Sequence, residues 1–251
     1  MGLFDEAKQF LEQYKNVPVS SLRQSNVLNT ELILQGLPYF AIKLGGAPHK
    51  RNFGKNLESF KCKSITTRTP LRTFQTFIAF DTETTGLALN DDVVEVAAVR
   101  FDNFVPKLQF TTLIRPRKPI PPDATAVNHI SNNMVANAPL FHDLIPSFDF
   151  VFQNFPLVAH NAIFDVKMMY VNGYDAMRDK KVYDTCALSK KMCPSLPNHK
   201  LTTLCNAHGI VNGNAHRAAS DALACGLMFV QFLMQHYECR NTDELCVKLN
   251  T

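Results

Sequence analysis

The stretch Phe77-Ile-Ala-Phe-Asp81-Thr-Glu83-Thr-Thr-Gly86-Leu87 constrains this chain more than any other. Its apolar run reads as a buried strand that ends in two carboxylates, at i and i+2. Side-chain alternation along a strand puts both on one face. Like charges held that close repel each other, and burying either one costs free energy. A hard divalent cation, which prefers oxygen ligands, removes both penalties. For an isolated pair the alternative is a strand-end turn carrying two solvated acids.

Two further places supply acids. Phe155-Pro-Leu-Val-Ala159 is a second short apolar run, and His160-Asn161-Ala-Ile-Phe164-Asp165 follows it. Asp165 stands at the start of a helical pattern through Ile163, Phe164, Val166, Met168 and Met169, where an Asp can also satisfy free backbone N–H groups. The third place is His216-Arg217-Ala-Ala-Ser-Asp221, leading into an Ala-rich helical segment. Small and apolar residues surround Asp221, so its charge needs a partner. His216 sits at or just before the helix start, where a lone His also serves as a capping or packing residue.

In this order the residues resemble the DEDDh, or DnaQ-like, exonuclease family, which contains the proofreading 3′→5′ exonucleases of DNA polymerases, DNA polymerase III among them. Three motifs carry the resemblance: Phe80-Asp81-Thr82-Glu83-Thr84-Thr85-Gly86-Leu87, Val158-Ala159-His160-Asn161-Ala162-Ile163-Phe164-Asp165 and His216-Arg217-Ala218-Ala219-Ser220-Asp221-Ala222. It spans roughly residues 75 to 236, with lesser support from Val93-Val94-Glu95-Val96-Ala97-Ala98-Val99 and Ile120-Pro121-Pro122-Asp123-Ala124-Thr125. One departure is Asn128-His129-Ile130-Ser131, where relatives often carry His-Gly-Ile-Thr.

The resemblance implies an α/β, ribonuclease H-like fold: a mixed five-stranded sheet flanked by helices. It also implies 3′→5′ hydrolysis of phosphodiesters. That chemistry needs a nucleophile at neutral pH and charge stabilisation at the departing oxygen, and two divalent ions supply both. Asp81 is implied to bridge the ions, Glu83 and Asp221 to complete one site, and Asp165 to support the other. An all-oxygen set suits Mg²⁺ or Mn²⁺ better than Zn²⁺. His216 is the natural general base, since imidazole titrates near working pH. By the same resemblance Thr82, Thr84, Gly86 and Leu87 lie near the terminal nucleotide, with Leu87 either a wedge against a base or plain packing. His160 and Asn161 contact phosphate or sugar. Phe164 is a substrate contact or, more simply, core.

The expected substrate is single-stranded DNA or a frayed 3′ end, shortened by nucleoside monophosphates, with a DNA polymerase subunit as a possible partner. The alternatives are an oligoribonucleotide-trimming exonuclease of the same family and a polymerase-associated nucleic-acid-binding subunit with an idle centre. DNA and RNA differ at the 2′-hydroxyl, and no residue here announces contacts to it. The presence of all four acids and the His argues against an idle centre.

Composition bounds the rest. The 251 residues are 46% hydrophobic, enough for a core, and no apolar run approaches membrane-spanning length. No signal-peptide pattern opens the chain, and seven cysteines without a close Cys-x-x-Cys pair read as free thiols in a cytoplasmic protein. Cys186, Cys193, His199, Cys205 and His208 tempt a zinc reading, but their spacings match no common module.

Charge divides the chain. Residues 1–75 hold 11 Lys and Arg against 5 Asp and Glu, whereas residues 76–251 hold 15 against 17. Two units are expected: a basic N-terminal extension over 1–75 and the exonuclease domain over 76–251. The basic excess between Lys43 and Arg72, interleaved with Phe53, Phe60 and Phe74, reads either as a strand-binding tether with stacking rings or as a solvated linker with phenylalanines packed on the core. A protein-docking module is a third use of the extension. It opens with an amphipathic helix through Leu3, Phe4, Ala7, Phe10, Leu11 and Tyr14.

From residue 76 onward, strands are expected at 76–81, 92–102 and 107–115, with a tight turn near Asn103. Pro116 to Pro122 reads as a loop. Helices are expected near 131–137 and 140–154, a strand at 156–160, a helix at 163–172 and a strand at 181–184. Helices then follow near 185–192, 200–208, 217–236 and 241–249. Strands followed by alternating helix and strand give an α/β class with a mixed sheet.

Overall fold

A computed structural model describes residues 60–249. The amphipathic helix expected over Leu3 to Tyr14 and the basic residues before Lys61 lie outside the described residues.

Five strands form one mixed sheet in the order β3-β2-β1-β4-β5: β1 Thr76–Thr84, β2 Val93–Asp102, β3 Val105–Leu113, β4 Leu157–Ala159 and β5 Val182–Asp184. The first three form an antiparallel meander, and β4 and β5 pair in parallel on the other side of β1. This is the expected sheet. The β2–β3 turn is made by Asn103 and Phe104, with φ of 49° and 66°. Two successive left-handed residues match the right-handed twist of the strands that they join.

The helices are α1 Pro122–Asn128, α2 Asn132–Val135, α3 Ile145–Phe152, α4 Ile163–Val171, α5 Thr185–Met192, α6 Leu201–His208, α7 Ala218–His236 and α8 Thr242–Leu249. α1 was not among the expected helices, although Pro122 at its first turn with Asp123 beside it is a helix-start signal. The helix expected over 140–154 is a 3-10 turn, Phe141–Leu144, that leads into α3.

Alternation along β1 builds two cores. Ile78 and Phe80 face a cluster with Phe148 and Phe152 of α3 and Val166, Met168 and Met169 of α4. Phe77 and Ala79 face Cys225, Phe229 and Phe232 of α7. α7 is the one helix among the described residues long and apolar enough to cross a membrane, and it is packed into this second core. It lies directly on the sheet at Gly226, where a Cβ would collide with the Phe101 ring and come within 2.9 Å of the Ala79 Cβ. This contact sets the height of Asp221 on α7 relative to β1. Asp221 lies five helical residues from Gly226, about 7.5 Å. Asp81 lies two strand residues from Ala79, about 7 Å. The two carboxylates therefore arrive at one level.

Residues 60–75, which charge groups with the extension, pack on the same domain. The Lys63 N–H donates to the Val182 carbonyl at 2.7 Å, at the β5 edge. The Phe74 ring is fully buried against Tyr183 and Phe229, and the Phe60 ring meets Tyr170 at 5.2 Å. The core-packing alternative therefore holds for Phe74, whose ring is fully buried, while the partly buried Phe60 packs against the core of α3 and α4. The Tyr237 hydroxyl donates to the Thr69 carbonyl, so this segment also sits at the C-terminal end of α7, about 22 Å along the helix from Asp221.

Candidate active site

Asp81 and Glu83 project from the α7 face of β1, both half-buried, while Thr82 and Thr84 turn to the buried opposite side. α7 brings Asp221 over them. One carboxylate oxygen from each of Asp81, Glu83 and Asp221 lies within 4.8 Å of the others. Three acids from two elements far apart in sequence thus share one small volume.

Asp165 comes from α4 to the adjoining part of β1, near enough for its charge to act on Asp81 and Glu83, and is held differently. β1 pairs with the short β4 only at Ile78 and Ala79, so its later residues run on without a strand on that side. There Asp165 Oδ1 accepts the Thr82 backbone N–H at 3.0 Å and the Thr82 hydroxyl at 2.7 Å. Asp165 is only 3% exposed.

The electrostatics record the crowding. Burial, followed by the charges of Asp165, Glu83, Asp221 and Glu95, holds the Asp81 carboxyl well above its usual range. Burial and then Asp221, Glu95 and Asp165 push Glu83 up to about 8, against the opposing pull of Arg217. Burial also raises Asp165, to about 7, although its bonds from Thr82 favour the charged form. Without a cation, burial and mutual repulsion favour the protonated forms of Asp81, Glu83 and Asp165. Its donor set, oxygen throughout and strained by its own charge, fits a hard divalent ion.

Asp221 is tied to the loop before α7. Its Oδ1 accepts from Asn212 Nδ2 at 2.6 Å, and its Oδ2 accepts the His216 backbone N–H at 3.0 Å. His216 takes a left-handed φ of 65° and its side chain is exposed.

Glu95 and Arg217 are two contributors that the sequence reading did not single out. Glu95 stands directly across from Glu83 in the β1–β2 register and is buried. It accepts from Arg217 Nε at 3.1 Å and Nη2 at 2.7 Å, and from the Ala218 N–H at 3.0 Å. One acid thus pins the start of α7 to the sheet beside the site. The signal was present: a lone carboxylate within Val93-Val-Glu-Val-Ala-Ala-Val99 requires a buried partner.

The remaining expected contacts divide. Leu87 is 85% exposed, so packing does not explain it. Gly86 accepts the Thr84 hydroxyl at its carbonyl, and a Cβ there would collide with the Asp91 carboxylate that holds the Ala88 N–H. The His160 ring is taken up by the protein. Its Nε2 lies 2.9 Å from the His199 carbonyl, so it carries the proton, and its Nδ1 accepts from the Thr185 hydroxyl at 2.9 Å. Burial lowers its pKa, which keeps the ring neutral. Asn161, with φ of 60°, donates its N–H to Asp184 Oδ1 at 3.0 Å. Phe164 packs against the α3–α4 core.

At the departure from the common pattern, His129 adopts φ of 60° where relatives often carry Gly. The buried Asn128 donates to the Thr84 carbonyl at 3.2 Å and accepts the Ile130 N–H at 3.0 Å, tying the end of α1 to the end of β1.

Comparison with known proteins accords with this geometry. The RNase_T exonuclease family model matches residues 78–229. DNA polymerase III subunit epsilon of Treponema pallidum (strain Nichols) is 38% identical over 168 residues, which cover 64% of this chain and 77% of that protein. The PolC-type DNA polymerase III of Caldanaerobacter subterraneus subsp. tengcongensis is 35% identical over 160 residues, 62% of this chain but only 11% of that much longer protein. Among solved structures, exonuclease X in complex with 5′ overhanging duplex DNA aligns with a TM-score of 0.55 at 23% identity, over 69% of this chain and 99% of that one. Exonuclease I aligns with the same TM-score at 22% identity, over 69% of this chain and 45% of that one, and both likenesses speak for the fold. By its matched sequence, its sheet and its acids, the chain belongs to the exonuclease family, among the DnaQ-like members.

Proposed function

We propose that the protein is a metal-dependent 3′→5′ exonuclease that releases nucleoside monophosphates from single-stranded DNA or frayed 3′ ends. The observation that carries this is the meeting of Asp81, Glu83 and Asp221 within 4.8 Å, with Asp165 braced beside them. Bound divalent ions, Mg²⁺ or Mn²⁺ for an all-oxygen set, supply a hydrolytic nucleophile at neutral pH and charge stabilisation for the departing oxygen.

The chain's own residues do the rest. Asp81, Glu83 and Asp221 would hold the ions, and Asp165, braced by Thr82, would support them from α4. His216, exposed at the rim and anchored to Asp221 through its backbone, takes the proton of the attacking water. Leu87 presents an apolar side chain to the terminal base, while the Thr82–Gly86 backbone shapes the floor beneath it. His160 and Asn161 act by holding the β4–α4 turn through Thr185, His199 and Asp184, which positions Asp165. The names of the polymerase III relatives favour DNA and service to a DNA polymerase.

Incubation of the protein with end-labelled single-stranded DNA, duplex DNA or RNA, in Mg²⁺, Mn²⁺ or EDTA, tests the reading. A ladder that shortens from the 3′ end and is lost in EDTA is expected, fastest on single-stranded DNA. Faster RNA shortening would move the substrate class to RNA. EDTA-resistant cleavage or purely internal cutting would overturn the reading.

A further inference from the structure

Both hydrogen bonds that the Asp221 carboxylate accepts come from the loop that precedes α7. Asn212 Nδ2 donates to Asp221 Oδ1 at 2.6 Å. The orientation of that amide is in turn set by Ser220, whose hydroxyl donates to Asn212 Oδ1 at 2.6 Å. With its oxygen engaged by a hydroxyl donor, the amide must present its NH₂ group to the carboxylate. The Ser220 oxygen also faces the Asn214 N–H at 3.4 Å. Asp221, Asn212, Ser220 and Asn214 are thus linked by one chain of bonds.

We propose that Asn212 is a positioning residue for the metal centre, holding Asp221 aimed at Asp81 and Glu83, and that Ser220 acts through it by keeping the amide correctly turned. This rests on the metal-dependent reading above. Several features make the assignment physical. An ionised carboxylate offers about four acceptor sites, so Asp221 can take the Asn212 and His216 bonds and still present lone pairs to a cation. The Asn212 bond is short, at 2.6 Å, and fixes the direction of the carboxylate. The same loop carries His216, whose left-handed backbone delivers its N–H to Asp221 Oδ2. Asn212 therefore fixes two things together, the third acid of the cluster and the loop that presents the imidazole. An unoriented Asp221 would sample rotamers that turn it away from the shared volume.

The test is Mn²⁺ binding by titration calorimetry on the full chain, with the thermal midpoint of the metal-free protein as the fold control. Asn212→Ala should weaken Mn²⁺ about tenfold, at the lower end of the effect usual for groups that orient metal ligands, while melting cooperatively near the parent temperature. Ser220→Ala should weaken it about threefold, and Ser220→Thr, which retains the hydroxyl, should restore parent affinity. Parent affinity in both Asn212→Ala and Ser220→Ala overturns the proposal. If Asn212→Ala does not fold, the Ser220→Ala and Ser220→Thr pair decides, because equal affinity in those two overturns it. A parent protein that binds no Mn²⁺ refutes the metal-dependent reading itself, a result distinct from either outcome.

Discussion

Thr82 gives both its backbone N–H and its hydroxyl to a single oxygen of Asp165, at 3.0 and 2.7 Å. The two residues lie 83 positions apart and meet because β1 outruns β4, leaving Thr82 without a strand partner on that side. The motif's middle residue therefore acts on a different acid from the two that flank it. Thr82→Val keeps the shape and the backbone bond but removes the hydroxyl. It should lower kcat and Mn²⁺ affinity by about tenfold, whereas Thr82→Ser should stay within about threefold of the parent. Steady-state kinetics and calorimetry on the three proteins check this.

The crowded acids make metal-free stability depend on pH. Glu83 is raised from 4.5 to about 8, and Asp165 from 3.8 to about 7. The folded state then holds these protons more tightly than the unfolded chain does. Their contribution is fully present below about pH 4 and is lost as pH rises through the folded values. The thermal midpoint in EDTA should fall between about pH 4.5 and 8, and added Mn²⁺ should restore most of the loss. Metal binding at pH 7 should release protons, read as a calorimetric enthalpy that varies with buffer ionisation. A flat midpoint across that window would show that the acids are not coupled as described.

Arg217 and Glu95 pin the start of α7 by a two-pronged ion pair. Arg217→Ala would leave a buried carboxylate beside Glu83. The expected cost is about 2–3 kcal/mol, below the range for fully enclosed pairs because the guanidinium is about a third exposed. A double-mutant cycle with Glu95→Gln in urea unfolding measures the coupling. Additive losses would mean that the pair does not act as a unit.

His216 touches Asp221 through its backbone alone, so its ring can be changed without disturbing that bond. Asn tolerates left-handed backbone better than most residues. His216→Asn should therefore bind Mn²⁺ like the parent while losing about 10²–10⁴-fold in kcat. Near-parent turnover would remove His216 as the base.

Much of the centre was legible in the chain. Asp81 and Glu83 follow from strand alternation, and Asp165 and Asp221 from the order of the motifs. The sheet followed from its apolar runs and from the turn at Asn103 and Phe104. Elements hidden in the sequence were those defined by pairing or contact. β1 extends to Thr84 because β2 continues to pair with it, and α1 was masked by the prolines that open it. The basic stretch left Phe60 and Phe74 open to either stacking or packing, and only the tertiary contacts placed Phe74 in the core and Phe60, partly buried, against Tyr170.

By itself the sequence determined which acids and which imidazole the protein carries, their order, and the fold class that brings such an order together. These depend on residue type and local periodicity, which a linear chain records directly. Only the tertiary structure decided how each acid is held: Asp165 by Thr82, Asp221 by Asn212 and His216, and the start of α7 by Glu95 and Arg217. Those bonds depend on where β4 stops and on Gly226 letting α7 down onto the sheet. Such distances are set by close packing between segments remote in sequence, and no local pattern encodes them.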